Sequence, residues 1–322
     1  MNPTTEATAE ARPERAPRVR VARRPLHGVL LLDKPLGLSS NDALQKAKWL
    51  LRAEKAGHTG TLDPLATGLL PVCLGEATKF SSYLLDADKG YRATVKFGAV
   101  TTTGDIEGEV VLERPVAFDL PQLQAAIAAH TGPISQVPPM YSALKHQGRA
   151  LYEYAREGIE IKREARDVVI HRIDLLSFDG DTAVIDVLCS KGTYIRTLAQ
   201  DIGEMLGCGA HLTGLRRTTT GGFQLQDAIT LEQLEATPPE ARGQLLLPVD
   251  VLVQHFAEQT LAARDADRFC HGQAVRSSEK CETMRRFRVY REVTREFLGL
   301  AEARDDGLLH PVRVCAAPAA TV

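Results

Sequence analysis

The segment GHTGTLDPLATG, residues 57–68, gathers several chemically active residue types in one short stretch. Pro64 biases Asp63 toward an extended backbone and keeps it out of a helix, so the carboxylate is expected on a fixed loop. The glycines of the segment allow close approach of a ligand, and His58 could face the same ligand. Loops of this kind often carry function. The residues alone favour an ordinary turn, because Asp-Pro commonly starts turns and a lone aspartate in such a loop is seldom catalytic.

Other kinds of site are excluded by their missing motifs. The sequence has no GxxxxGK[ST] phosphate loop, and GHTG is not a GxGxxG dinucleotide fingerprint. The six cysteines are scattered and form no CxxC pair, which indicates reduced thiols rather than a zinc site or a disulfide framework. We therefore expect no metal at the candidate loop.

Composition is that of an ordinary globular protein. Of 322 residues, 44% are hydrophobic and 25% charged. No apolar run is long enough for a membrane span and the N-terminus lacks the core of a secretory signal, so we expect a cytoplasmic protein without membrane contact. The net charge of −2 does not indicate a nucleic-acid binder, although a basic face can coexist with an acidic remainder.

The elements that must position the loop are predicted from periodicity and turn residues. A buried strand is expected over 29–32, followed by a helix capped by Ser40. Further strands and helices are expected at 69–74 (strand), 76–87 (helix), 91–98 and 108–113 (strands), 119–131 (helix), 166–178 and 182–190 (a hairpin) and 194–206 (helix). Strands joined by short turns, with helices at irregular intervals, predict an α+β fold with a mixed or antiparallel sheet.

Three regions are expected along the chain. Residues 1–26 have almost no large apolar side chain, which predicts a disordered tail. Residues 27–249 form the main domain. The proline-rich step at 236–250 separates it from a smaller unit at 250–322.

Seven blocks of the sequence together resemble one known family. GHTGTLDPLATG resembles the catalytic motif of the TruB family, the bacterial tRNA pseudouridine-55 synthases. The other blocks are GVLLLDKPLGLSSNDALQK, LGEATKF, DKGYRA, PPMYSALKHQGRALYEYAREG, CSKGTYIRTLAQDIG and GAHLTGLRRT. All occur in the family's order between residues 28 and 218.

The resemblance implies both an architecture and an activity. It implies a pseudouridine synthase catalytic domain over 27–249 and a PUA-like RNA-binding domain over 250–322. The expected activity converts uridine 55 in the T-loop of tRNA to pseudouridine, without a cofactor or an obligate protein partner. The expected partner is the tRNA T-arm, and we expect a monomer. Residues 277–296, which are unusually charged, match the family poorly.

The same resemblance assigns roles to the central site residues. It implies that Asp63 is the nucleophile, attacking the ribose or the uracil, and that Arg196 in SKGTYIRT pairs with it and favours its ionised form. Tyr91 is expected to stack on the flipped uracil, while Tyr194 and Leu215 close the pocket. Without the resemblance, Arg196 suggests a surface arginine at a helix start and Leu215 a core residue.

Three further residues receive less central roles from the resemblance. His58 is similar to the residue that supports extrusion of the target nucleotide. Asp105 matches an acidic position near the active site, although Thr102 stands where an additional aspartate commonly precedes it. Lys34, in LDKP, matches the family pattern and is expected to give structural support or a polar contact.

Basic and aromatic side chains alternate in residues 138–166, as suits RNA phosphates and unstacked bases. They are Lys145, His146, Arg149, Arg156, Lys162, Arg163 and Arg166, with Tyr141, Tyr152 and Tyr154. In the TruB family this stretch is similar to the insertion that clamps the T-arm. An amphipathic helix with a solvated charged face is an alternative. Alternative functions are a non-catalytic RNA-binding protein and a synthase acting on another RNA.

Overall fold

The computed structural model describes residues 22–276 and 284–316. Residues 1–21, 277–283 and 317–322 lie outside the described residues, and with them most of the predicted tail and part of the charged segment. A ten-stranded mixed sheet and a five-stranded sheet make up most of the molecule. The α+β class and the β-rich C-terminal part expected from the sequence are confirmed.

The helices and strands are numbered in chain order. The helices are α1 (Ser40–Leu51), α2 (Ser81–Leu85), α3 (Leu120–Ala129), α4 (Leu151–Arg156), α5 (Ile195–Met205), α6 (Leu231–Ala236) and α7 (Ala263–Cys270). The strands are β1 (Gly28–Lys34), β2 (Ala56–His58), β3 (Ala66–Leu74), β4 (Lys89–Phe97), β5 (Ala99–Thr101), β6 (Val110–Glu113), β7 (Gly132–Gln136), β8 (Lys145–His146), β9 (Arg149–Ala150), β10 (Arg166–Phe178), β11 (Thr182–Cys189), β12 (Ala210–Thr220), β13 (Phe223–Gln224), β14 (Ile229–Thr230), β15 (Ala257–Leu261), β16 (Val275–Arg276), β17 (Arg286–Arg291), β18 (Phe297–Ala303) and β19 (Leu308–Val314). Short 3₁₀ helices occupy Gly75–Lys79, Leu225–Asp227, Arg242–Leu245 and Val249–Val253.

The large sheet has the strand order β14-β1-β3-β12-β4-β11-β10-β7, with β2 and β13 paired at its side. The β1/β14 and β3/β12 pairs are parallel and the other pairs are antiparallel. Strands β3, β12 and β4 are therefore neighbours in its centre. This arrangement brings together residues 66–74, 89–97 and 210–220, which are distant in sequence.

Strand β1 is buried on both faces of the sheet, which explains its uninterrupted apolar run. Leu30 and Leu32 pack into the core formed with α1, α3, α5 and α6. Val29 and Leu31 pack on the opposite face. The continuous run that predicted a buried strand thus serves two cores.

The C-terminal sheet has the order β15-β17-β18-β19-β16. Its own core surrounds Phe269 and Val289. Tyr290, Phe297 and Leu300 pack instead with Val29 and other side chains of the large sheet. The two sheets therefore share a hydrophobic core, into which the 3₁₀ helix Val249–Val253 also packs.

Two expectations about the N-terminal part need correction. Ser39, not Ser40, caps α1, because the Ser39 side chain accepts a hydrogen bond from the Asp42 backbone N–H. Backbone pairing also begins inside the predicted tail of residues 1–26, since Arg24 pairs with Ala53. Within the part of the chain that the structure describes, no helix is long and apolar enough to cross a membrane.

Candidate active site

The loop that carries Asp63 joins β2 to β3 and is fixed by buried polar side chains from β1 and α1. The hydroxyl of Ser40 donates to the Leu62 carbonyl (2.9 Å) and accepts from the Leu62 N–H (2.7 Å). The backbone N–H of Ala66 donates to the Asp63 carbonyl (3.0 Å). Ser40, which does not cap the helix, thus holds the backbone beside Asp63.

Lys34, the last residue of β1, supports the same loop. Its ammonium, fully buried, donates to the carbonyls of Pro35 (2.9 Å), Leu38 (2.5 Å) and Pro64 (3.5 Å). Burial lowers its pKa to about 8, partly offset by the charge of Asp63. Lys34 lines neither of the two cavities described below, so its contacts are those of a structural support.

Arg196 lies in the first turn of α5 and forms an ion pair with Asp63, with 2.8 Å between Nη2 and Oδ2. The guanidinium also donates to the carbonyls of Thr103 and Tyr141, both at 2.7 Å. The Arg196 side chain is 6% exposed and that of Asp63 43%. A buried arginine, held by two backbone carbonyls, thus pairs with a carboxylate whose other side is open.

Asp105 completes this group of charges. Its Oδ2 lies 3.7 Å from Arg196 Nε, and its other oxygen accepts from the Thr103 hydroxyl (2.6 Å) and the Glu107 N–H (3.1 Å). The Asp105 side chain is almost completely buried. Two carboxylates thus contact one guanidinium, and of these only Asp63 reaches solvent.

A cavity of about 400 Å³ opens on one side of Asp63 and Arg196. Tyr91, Tyr194 and Leu215 all line it, so the structure brings these three predicted residues together beside Asp63. The guanidinium of Arg166 lies over the Tyr194 ring, 4.8 Å from its centroid. Burial raises the pKa of the Tyr91 phenol. We call this space, lined by apolar and aromatic surface with a few charged groups, the first cavity.

A second cavity of about 610 Å³ lies on the other side of the same ion pair. His58 and Asp105 line it together with Glu107, Tyr152 and Arg156. Burial lowers the pKa of His58, and the nearby Arg217 lowers it further. His58 is thus separated from Tyr91, Tyr194 and Leu215, although Asp63 and Arg196 line both cavities.

Ser142 is a buried side chain at both cavities that the sequence did not single out. It is 4% exposed, and its hydroxyl finds no hydrogen-bond partner among the described residues. Buried polar groups in folded proteins are nearly always paired. A hydroxyl left free at the wall of a cavity can bond a ligand, and Ser142 lies inside the quoted block PPMYSALKHQGRALYEYAREG.

Two cations at the first cavity were also missed. Lys89 and Arg217 line it, and both are buried. Lys89 lies in the block DKGYRA and Arg217 in GAHLTGLRRT. Sequence patterns alone favour exposed lysine and arginine, and no local signal marks these two as buried.

Residues 138–166 form short elements rather than one amphipathic helix. Strands β8 and β9 make a hairpin, and α4 follows directly. Arg149 pairs with Glu153 and Glu157 and lies over the Tyr154 ring. Arg163 pairs with Glu160. Arg149 and Arg163, two of the basic residues expected to contact RNA, thus form ion pairs within the segment.

No metal cluster accompanies these residues. Across residues 22–276 and 284–316, no group of three or more histidine, cysteine or acidic side chains could hold a metal ion. The side chains that line the first cavity include a carboxylate, its arginine partner, a buried phenol and further cations.

Three family models match the chain in succession. The TruB family pseudouridylate synthase N-terminal domain matches residues 48–195, the tRNA pseudouridylate synthase B C-terminal domain 196–254, and the pseudouridine synthase II TruB C-terminal region 257–315. The chain is 68% identical to the tRNA pseudouridine synthase B of Chromobacterium violaceum over 294 residues, which covers 91% of this chain and 96% of that protein. It is 57% identical to the enzyme of that name from Cupriavidus pinatubonensis over 315 residues, or 95% and 98% of the two chains.

Solved structures show the same fold. A Cbf5-Nop10-Gar1 complex contains a chain with a TM-score of 0.68 and 26% identity, covering 91% of this chain and 86% of that one. The archaeal box H/ACA sRNP Nop10-Cbf5 complex gives a TM-score of 0.67 at 23% identity, covering 92% and 88%. With the family models matching nearly the whole described chain, the protein belongs to the TruB family of pseudouridylate synthases.

Proposed function

We propose that the protein converts uridine 55 in the T-loop of tRNA to pseudouridine, with Asp63 as the nucleophile. The observation that carries the proposal is the Asp63–Arg196 ion pair at the wall of a cavity of about 400 Å³. The curated relatives with 68% and 57% identity are named tRNA pseudouridine synthase B, which supports tRNA as the substrate.

The reaction is an isomerisation, so it needs no oxidant, reductant or added group. The C1′–N1 bond breaks, a C1′–C5 bond forms, and the ring exchanges the C5 proton for one on N1. Asp63 makes a transient bond to the nucleotide, at the ribose or at the uracil, and that bond breaks again as pseudouridine forms, which frees the carboxylate. The chemistry is therefore proposed to proceed without a cofactor.

Arg196 holds the nucleophile in place through the ion pair. A carboxylate in a site that excludes water loses hydration, and a paired guanidinium compensates for that loss. The carbonyls of Thr103 and Tyr141 fix the guanidinium independently of Asp63. Asp63 can therefore leave the pair to attack without releasing Arg196 from its position.

The first cavity retains the base while it turns. Tyr91 provides a stacking face, worth about 1–3 kcal/mol per base, and Tyr194 and Leu215 close around it. When the C1′–N1 bond breaks heterolytically, its electron pair stays with the uracil. Lys89 and Arg217, as buried cations at this cavity, favour such an electron-rich ring.

Extrusion of the nucleotide is assigned to the opposite side of Asp63. Flipping a nucleotide out of its stack costs a few kcal/mol, which new contacts must offset. His58 and Asp105 line the second cavity, where they can contact parts of the RNA next to the target. The segment 138–166 and the C-terminal sheet hold the T-arm. We further propose that the enzyme is a monomer and acts in the cytoplasm.

The test is to map pseudouridine in unmodified tRNA transcript after incubation with wild-type protein, Asp63→Asn and Asp174→Asn. Asp174 forms an exposed pair with Arg172 and is a matched control. We expect product at position 55 with wild type and the control and none with Asp63→Asn, which should still bind tRNA. Full product from Asp63→Asn would refute the nucleophile, and product elsewhere would refute the position.

A further inference from the structure

Lys89 is a buried lysine at the start of β4, and its ammonium lies at the wall of the first cavity. Its Nζ donates to the carbonyls of Leu85 (3.0 Å) and Ala87 (2.6 Å). A Cβ on Gly60 would lie 3.6 Å from Lys89 Cε, so the end of the side chain reaches the loop that carries Asp63. Gly60, Leu85 and Lys89 all line the first cavity. The charged end of the side chain, and not its stem alone, therefore belongs to the cavity wall.

Within the residues that the structure describes, no ion pair joins this ammonium to a carboxylate. The two acidic residues nearest to Lys89 in sequence pair elsewhere, since Asp86 lies 2.8 Å from Lys191 and Asp88 lies 3.1 Å from His171. An ammonium has three protons to donate, and the two carbonyls use two of them. A buried charge is costly unless it is paired and hydrogen-bonded. The third proton and the unpaired charge thus suit an electron-rich oxygen that a ligand brings into the cavity.

The position of Lys89 is compatible with the stacking role of Tyr91. The two residues are two apart on β4, so their side chains lie on the same face of the sheet. A base that stacks on the Tyr91 ring lies parallel to it, and the carbonyl oxygens of the base then lie at its edge. Lys89, beside Tyr91, can reach that edge while the phenol ring covers the face. The two side chains therefore contact different parts of one base.

We propose that Lys89 is a catalytic residue, whose ammonium donates a hydrogen bond to a carbonyl oxygen of the uracil in the first cavity. This inference rests on the proposed function, in which that uracil belongs to the target nucleotide. When the C1′–N1 bond breaks, the electron pair left on N1 is shared with the ring carbonyls. The hydrogen bond strengthens as this negative charge develops. Lys89 neither accepts nor releases a proton, because its part is to stabilise the charge.

Replacing single atoms of the substrate tests this contact. Otherwise unmodified tRNA is prepared with uridine, 2-thiouridine or 4-thiouridine at position 55, because sulfur is a weaker hydrogen-bond acceptor than oxygen. Single-turnover rates with excess enzyme are measured for wild type and Lys89→Gln. With uridine, Lys89→Gln should lower the rate about 10- to 100-fold, as expected for the loss of a hydrogen bond from a charged group.

The ratio of the rates with oxygen and with sulfur separates the contact from the intrinsic reactivity of the base. Sulfur also changes how easily the base leaves the ribose, but this effect is common to all enzyme variants and cancels when ratios are compared. For one of the two thio substrates, the ratio should be at least about fivefold larger for wild type than for Lys89→Gln. A lysine that only supports the fold would give equal ratios.

Two further variants test for general disruption. Lys89→Met keeps an unbranched side chain without a donor, so its ratios should match those of Lys89→Gln. Lys96→Gln is the matched control, because Lys96 lies on the same strand and pairs at the surface with Asp181 (2.5 Å). Its rates and ratios should stay within about twofold of wild type. Thermal melting of each variant reports whether it is folded.

Several results would overturn the proposal. These are equal ratios in wild type and both Lys89 variants for both thio substrates, a wild-type rate with uridine in either variant, or loss of the folded state in both, which would assign Lys89 to stability alone. Failure of the proposed function is distinct. Pseudouridine at another uridine would reject position 55, and the same comparison with sulfur at that uridine would still decide the role of Lys89. No pseudouridine from wild type would reject the proposed function and this inference with it.

Discussion

The two cavities that flank Asp63 differ in the charge of the side chains that line them. The first is lined by the cations Lys89, Arg166, Arg196 and Arg217, against the single carboxylate of Asp63. The second is lined by Asp63, Asp105 and Glu107, with Arg156 and Arg196 as cations. Burial raises the pKa of Glu107, and Asp105 and Asp63 raise it further. Asp63 thus lies between a mainly cationic cavity and a more acidic one.

Under the proposed function, this contrast favours chemistry in the first cavity and contacts with the RNA in the second. Preorganised charges aimed at a reacting group act strongly where water is excluded. Like-charged carboxylates beside a polyanion would instead repel phosphates, so the second cavity favours contacts with bases or sugars. Substitutions at the shared wall should accordingly have larger effects than those at either side.

The largest effect is expected for Arg196→Lys, which disrupts the wall between the two cavities. Lysine keeps the charge but cannot hold Asp63 and two carbonyls together. We expect kcat for pseudouridine formation to fall about 10²- to 10³-fold. Arg114→Lys is the control. Arg114 pairs at the surface with Glu204, which lies on α5, the helix that carries Arg196. Similar kcat values for Arg196→Lys and wild type would show that the wall does not matter to the chemistry.

For Ser142→Ala we expect a smaller loss of activity than for Arg196→Lys, together with equal or higher stability. Removing a buried hydroxyl that has no partner among the described residues relieves an unpaired polar group, so the free energy of unfolding should stay equal or rise. If the hydroxyl bonds the nucleotide, kcat/KM should fall about tenfold, which corresponds to about 1.4 kcal/mol. Unchanged kcat/KM would remove Ser142 from the substrate contacts.

A weaker effect is expected outside both cavities, at Lys162→Ala. Lys162 is exposed in the segment 138–166. Loss of one phosphate contact should raise KM for tRNA about two- to fivefold at low salt and reduce the salt dependence of binding by about one counterion, while kcat is unchanged. Lys46→Ala, at an exposed pair with Glu235, provides the control. Equal salt slopes for both variants and wild type would contradict a role for Lys162 in binding.

The smallest effect is expected on the pH dependence of stability, and it involves His58 at the second cavity. Burial holds the pKa of His58 below its ordinary value of 6.5, so the unfolded chain binds a proton more readily than the folded one. The stability that His58 contributes is therefore present above about pH 6.5 and lost as the pH falls. Urea unfolding of wild type and His58→Gln should differ most at neutral pH and converge toward acid pH. A constant difference between the two proteins would contradict this origin.

Secondary structure followed from local patterns where those patterns were unambiguous. The alternating segments 166–178 and 182–190 became β10 and β11, and the helix predicted at 194–206 became α5. Ser40 was misassigned because Ser39 and Ser40 are both good caps. The choice between them is decided by Leu62, whose backbone bonds Ser40 across the fold. Such a contact leaves no trace in the local sequence.

Part of the site's membership was predicted from the sequence, but Ser142, Lys89 and Arg217 and the arrangement of the whole were not. Asp63 and Arg196 were singled out by resemblance to a family, since spacing alone gives no reason to pair residues so far apart. The separation of His58 from Tyr91 into different cavities depends on strand order. Arg217 was passed over because a charged residue in a strand is normally expected at the surface, and its carbonyl partners come from two other segments.

Because β1 is buried on both faces, removal of the C-terminal sheet would also affect the large sheet. Residues Val29 and Leu31 of β1 share a core with Tyr290, Phe297 and Leu300 of the C-terminal sheet. Deleting that sheet would leave an apolar patch on the back of the strand that carries Lys34, the support of the Asp63 loop. A truncated protein would then be prone to aggregate, and losses of activity caused by truncation would report on misassembly as well as on weaker RNA contacts. In this chain, the C-terminal sheet therefore helps to support, through β1 and Lys34, the loop that carries Asp63.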